Sequence, residues 1–151
     1  MAFPDFLDTC AIYGATLADT LLRIAEQGAF SPHWSADVLD ELGRNLVEHA
    51  GLDQEAATRR IAHMQAAFPN AEVTGYAHLI SSMTCNEKDR HVVAAAARGR
   101  CEIVVTFNLS DFPLAALQPL HLAAVHPDDF LLDQIDLYPG RVERARFRRP
   151  R

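Results

Sequence analysis

The chain has 151 residues, 49% hydrophobic and 23% charged, a balance that suits one globular domain and excludes a disordered chain. Its net charge of -6 is uneven: residues 141–151 hold six arginines and one glutamate, or +5, leaving -11 on the remainder. Such an acidic body argues against bulk nucleic-acid affinity built on basic phosphate contacts. No apolar run approaches the ~18 residues that a membrane span needs.

The N-terminus carries Asp5 and Asp8 early and has no basic stretch, so no signal peptide is expected and the cytoplasm is the expected location. Cys10, Cys85 and Cys101 are odd in number and lack metal-ligand spacing. They read as buried free thiols in a reducing compartment.

Phe3 to Cys10 predicts a short strand ending at Asp8, with Pro4 limiting its start. Thr16 to Gln27 predicts a helix with Leu17, Leu21, Leu22, Ile24 and Ala25 on its apolar face, stopped by Gly28. Ser35 is a good N-cap for a helix from Ala36 to about Ala50, with Val38, Leu39, Leu42 and Leu46 inward. Asp40 and Glu41 flank that stripe on opposite sides, and periodicity alone does not choose between them. Asp53 caps a further helix to about Phe68, and Pro69-Asn70 breaks the chain. The two consecutive helices predict a helical hairpin before the next strand.

Ala71 to Thr74 predicts a short strand, and Tyr76 to Met83 a loop or short helix. Asp89 then opens a small-residue helix through Val92, Val93 and Ala94 to Ala97, able to pack closely on a sheet and stopped at Gly99. Ile103-Val104-Val105 has the β-branched, apolar character of a strand covered on both faces. Asp111 follows it, at the end of the strand where parallel sheets bind ligands. Pro113 to Leu117 predicts a turn of helix, His121 to Val125 a last strand, and His126 onward a helix closed by Pro139-Gly140. Strands alternating with helices or helical pairs predict an α/β fold, a central parallel sheet flanked by helices. The expected division is a domain over residues 1–138 and an arginine-rich tail over 139–151.

Asp8, Asp89, Asp111 and one of Glu41 or Asp40 could thus meet at one end of the sheet. Clustered carboxylates repel unless protons or cations relieve them. Mg²⁺ or Mn²⁺, hard ions that prefer oxygen ligands, would do so, and could lower the pKa of an attacking water beside a phosphate. A solvated acidic surface is the commoner source of such a charge excess, and a lone aspartate at a helix start is more often a cap.

Four stretches, Phe6-Leu7-Asp8-Thr9, Trp34 to Leu42, Asp89 to Ala96 and Thr106 to Phe112, resemble in order and spacing the PIN-domain family, and within it the VapC-like toxins of bacterial toxin–antitoxin modules. The resemblance runs over nearly all of residues 4–138. It implies a Rossmann-like sheet, Mg²⁺- or Mn²⁺-dependent cleavage of RNA, an antitoxin partner and homodimers. It also implies that Asp8, Glu41 and Asp89 are metal ligands and catalytic acids. Asn108 stands where many members have an acid, while Asp111 belongs to the following Asp-Phe pair; either can complete the site. Thr9 and Thr106 would supply hydroxyls that hold those acids; His91 lies two residues from Asp89, but a place on the surface is expected for it.

Two other readings compete. A decayed, non-hydrolytic PIN-like module draws support from Asn108. A phosphatase of the haloacid-dehalogenase kind needs a second aspartate two residues after the first, where Cys10 stands.

Overall fold

The structure, a computed structural model, describes residues 2–146. Five strands, β1 (Phe3–Leu7), β2 (Phe30–Ser35), β3 (Glu72–Val73), β4 (Ile103–Val105) and β5 (Ala123–Val125), form one parallel sheet in the order β3-β2-β1-β4-β5. Helices α1 (Thr9–Tyr13) and α2 (Ala15–Glu26) connect β1 to β2, and α3 (Ala36–Glu48) and α4 (Gln54–Ala67) connect β2 to β3. Helix α5 (Arg90–Arg98) leads into β4, α6 (Leu114–Leu117) lies between β4 and β5, and α7 (Pro127–Leu137) and α8 (Pro139–Arg146) follow. This is the expected α/β sheet flanked by helices.

Local chemistry explains most boundaries. Ser35 Oγ accepts from Val38 N at 3.1 Å and Asp53 Oδ1 from Ala56 N at 2.7 Å, so both predicted caps fix their helix starts. Gly28 closes α2 with φ +82°, a conformation that suits glycine. Gly99 acts differently. Its φ is ordinary, and Arg100 takes the left-handed turn at φ +57°. What Gly99 provides is room: a Cβ there would stand 2.8 Å from Val73 Cγ2, so its bareness lets α5 approach β3.

Three elements depart from the sequence reading. The chain turns into α1 directly after Asp8, because the Asp8 side chain caps it. Residues 30–35 form a strand that was not predicted. Its run Phe-Ser-Pro-His-Trp-Ser lacks a clean period, and Pro32 argues against a central strand. Pro32 is tolerated because β3 pairs only with Trp34 and Ser35, leaving β2 a neighbour on one side at Pro32. Pro139 begins α8 instead of ending the fold, in keeping with proline's fitness for a first helical turn. Arg141 of α8 donates to Gly28 O and lies over the Tyr138 ring at 5.1 Å. Residues 147–151, the last part of the expected arginine tail, lie outside the described residues.

The core lies on both faces of the sheet, since the neighbours Phe6 and Leu7 on β1, and Val104 and Val105 on β4, point to opposite faces and are all fully buried. Trp34 is fully buried and meets Phe68 edge-on at 6.1 Å, while Phe30 meets Phe130 at 4.9 Å. Among the described residues no helix is long and apolar enough to cross a membrane.

The order of strands decides where a site can form. The chain runs from β1 outward to β2 and β3, then returns to place β4 on the other side of β1. The carboxyl ends of β1 and β4 therefore flank a topological switch point, where parallel sheets open a crevice.

Candidate active site

Asp8 stands at that crevice. Its backbone N donates to Val105 O at 3.1 Å, which extends the β1–β4 pairing by one residue before the chain bends into α1. The carboxylate is buried and held from two sides. Oδ1 accepts from Thr9 N at 2.8 Å, and Oδ2 accepts from the Thr106 hydroxyl at 2.8 Å. Thr106, just after β4 and fully buried, also accepts from Asn108 N at 3.1 Å. One hydroxyl thus joins the first acid to the loop that carries Asn108 and Asp111.

The other acids arrive from separate elements. Glu41 projects from α3, which packs on α1, and lines the same cleft; Asp40 is exposed and does not. Asp89 ends a 3-10 turn over Glu87–Asp89, held by Asp89 N donating to Asn86 O at 2.9 Å and by Arg90 Nε donating to Cys85 O at 2.9 Å. Asp111 ends a second 3-10 turn over Leu109–Asp111. Asp8, Glu41, Asp89 and Asp111 all line a cleft of about 680 Å³, together with Thr9 and Asn108.

The carboxylates sense one another. Burial raises the Asp89 carboxyl above the usual carboxylate range, and the charges of Asp111 and then Asp8 push it further, against the lowering effects of Lys88 and His91. Asp89 Oδ2 is buried without a hydrogen-bond partner, as are His91 Nδ1 and Thr9 Oγ1, so Thr9 holds Asp8 through its backbone N and not through the hydroxyl expected from the sequence. A buried oxygen left unpaired beside two other carboxylates calls for a proton or a cation. The donors are hard oxygens, which fits Mg²⁺ or Mn²⁺ and not a soft ion. Among the described residues, no three His, Cys, Asp or Glu side chains are drawn tightly enough together to hold a metal ion as they stand. The acids line the cleft without closing on a common point.

Other lining residues carried no spacing signal in the sequence: Cys10, Tyr13, Asn45, His49 and Lys88. Cys85 and Cys101 are buried as expected, but Cys10 is only half-buried, with Sγ 3.4 Å from Thr106 Oγ1. Burial and then the Asp8 charge raise its thiol, so it is a poor thiolate here. His91 also lines the cleft, so it belongs to the site and not to the open surface.

The family described as PIN domain matches residues 6–110 of the chain. Among curated proteins, "Putative ribonuclease VapC50" of Mycobacterium tuberculosis (strain ATCC 25618 / H37Rv) is 59% identical over 64 residues, which span 42% of this chain and 38% of that protein. The match therefore covers well under half of the relative's length. No solved structure matches the chain.

Proposed function

The chain belongs to the PIN-domain family, and on that premise we propose that it is a metal-dependent endoribonuclease that hydrolyses RNA phosphodiester bonds, the toxin of a toxin–antitoxin pair. The observation that carries the reading is the convergence of four acids from four separate segments, Asp8, Glu41, Asp89 and Asp111, on one cleft at the switch point of the sheet. A fold with no use for a cation gains nothing by gathering them, because like charges in a half-buried site oppose folding. The retained acids favour an active site over a decayed binding module.

In this proposal Asp8, Glu41, Asp89 and Asp111 hold one or more Mg²⁺ or Mn²⁺ ions. An ion bound there would supply Lewis acidity, screening the phosphate charge and lowering the pKa of a water molecule. The protein's own part is positional. Thr9 N and the Thr106 hydroxyl fix both oxygens of Asp8, so this acid loses little freedom on taking up its task. Asp111 is the better fourth acid, since its charge already reaches Asp89, while Asn108 is exposed and can orient water or substrate through its amide.

The toxin reading is supported by the name of the 59%-identical relative and implies an antitoxin that restrains the activity. Homodimers and a cytoplasmic place of action belong to the same proposal; the boundary expected at residue 138 gives way to a nuclease domain that includes α8, which packs on α2 and buries Ala145.

The test is cleavage of a mixed set of labelled RNAs with Mn²⁺, Mg²⁺ or EDTA, comparing wild type with Asp8→Asn. The expected result is metal-dependent cutting by the wild type, reduced about 100-fold or more in the variant, as loss of a group central to charge stabilisation costs elsewhere. Equal cutting by both proteins would overturn the assignment.

A further inference from the structure

The cleft is a poor place for an RNA backbone on charge alone. Four carboxylates line it, and a phosphate adds another negative charge. Among the described residues Lys88 is the one lysine or arginine that lines this cleft, and it is the single lysine of a chain that otherwise uses arginine. It sits in the 3-10 turn immediately before Asp89. Its Nζ lies 3.8 Å from Asp111 Oδ2, with the lysine side chain 68% exposed and that of Asp111 29% exposed. An ion pair of that length and exposure holds its partners weakly. Lysine can make such a contact as a compact point charge with three rotatable donors on a flexible stem.

We propose that Lys88 is the phosphate ligand of this cleft: its ammonium rests on Asp111 in this structure and moves to a non-bridging oxygen of the RNA backbone when substrate binds. The proposal rests on the nuclease reading and goes beyond it by naming the group that admits an anion to an acidic site. Lys88 thereby has two partners in turn. As counter-ion to Asp111 it relieves repulsion among the acids, and once Asp111 is engaged elsewhere it is free for the substrate. It contacts the backbone and not a base edge, so it contributes affinity without sequence preference.

The experiment uses the full chain and a fluorescein-labelled random-sequence single-stranded RNA. Binding is followed by anisotropy with Ca²⁺ in place of Mn²⁺, on strands checked by gel to remain uncut, over a series of salt concentrations, for wild type, Lys88→Gln and Lys88→Arg. Mn²⁺ affinity without RNA is measured in parallel by calorimetry. Lys88→Gln is expected to weaken RNA binding about tenfold, the worth of a charge-assisted contact. The slope of log affinity against log salt should become shallower by about 0.7, one phosphate contact on a single strand. Lys88→Arg should restore most of the binding, and Mn²⁺ affinity should be unchanged or tighter in Lys88→Gln. Wild-type RNA affinity and slope in Lys88→Gln would overturn the proposal while leaving the nuclease reading intact. So would a loss of RNA binding matched by an equal loss of Mn²⁺ binding, since Lys88 would then only shape Asp111. A wild type that binds Mn²⁺ but no RNA would sink the nuclease reading itself, and the proposal with it.

Discussion

Two aspartates on or just after β1, three residues apart, meet opposite conditions. Asp8 has two donors for its oxygens and faces the cleft. Asp5, in mid-strand opposite Ile103 and Pro32, is 3% exposed, and burial with the added charge of Glu102 lifts its carboxyl from the ordinary 3.8 to about 7. Folding then favours the protonated form. The folded protein holds that proton more tightly than the unfolded chain, so its contribution to stability is whole below about pH 4 and is lost as pH rises through about 7. Wild type should lose on the order of 2–4 kcal/mol from this group between pH 4 and pH 8. Asp5→Asn, of nearly the same shape and without the charge, should be less sensitive to pH over that span and more stable than wild type at pH 8. Urea unfolding of both proteins at several pH values reads the difference directly; parallel losses in the two would show that Asp5 is charged or solvated in the fold. Asp8 was legible in the sequence because an acid at the end of an apolar strand needs a partner. Asp5 was not, since nothing in Phe-Pro-Asp-Phe says that the third residue is covered on both sides.

Elements that depend on local chemistry were the readable ones. Ser35 and Asp53 caps, the apolar stripes of α2 and α3, and the β-branched run of β4 carry their own signals, and the structure follows them. Strand β2 is made by pairing with β1 and β3, a non-local event that its mixed sequence does not announce. Glu41 and Asp40 show the same limit on a helix. Both lie beside the stripe, and only the packing of α3 on α1 determines which reaches the cleft. The α5–β3 contact can be tested as an element. Gly99→Ala would place a methyl 2.8 Å from Val73 Cγ2 and 3.3 Å from Ala95 O, closer than packed carbons tolerate. The expected cost is about 1–3 kcal/mol, the range for overpacking. In the Gly99→Ala, Val73→Ala double variant, the two effects should sum to less than their separate costs, because the second substitution vacates the space that the first invades. Simple additivity in chemical denaturation would mean that the two side chains do not meet.

At the scale of the molecule, the fold arranges charge by topology. The chain leaves β1 on one side and returns to β4 on the other, and this brings Asp8 of one strand end beside Thr106 of the next. The helices then deliver Glu41 and Asp89, and the loop after β4 delivers Asp111. The general plan was legible because each acid except Glu41 marks a boundary of an element: Asp8 and Asp111 follow strands, and Asp89 opens a helix. Lys88, Cys10, Asn45 and His49 were not, because residues without a spacing rule join a site only when the backbone has closed around it. These acids are expected to form one cation site despite their separate origins. The most direct test is calorimetric titration of Mn²⁺ into wild type and into Asp8→Asn, Glu41→Gln, Asp89→Asn, Asp111→Asn and Asp40→Asn. The account predicts that each of the first four variants weakens Mn²⁺ binding by about tenfold or more, as loss of one charged ligand from a hard-cation site does, while Asp40→Asn binds as wild type does. Wild-type affinity in any two of those four variants, or a loss in Asp40→Asn as large as theirs, would contradict it.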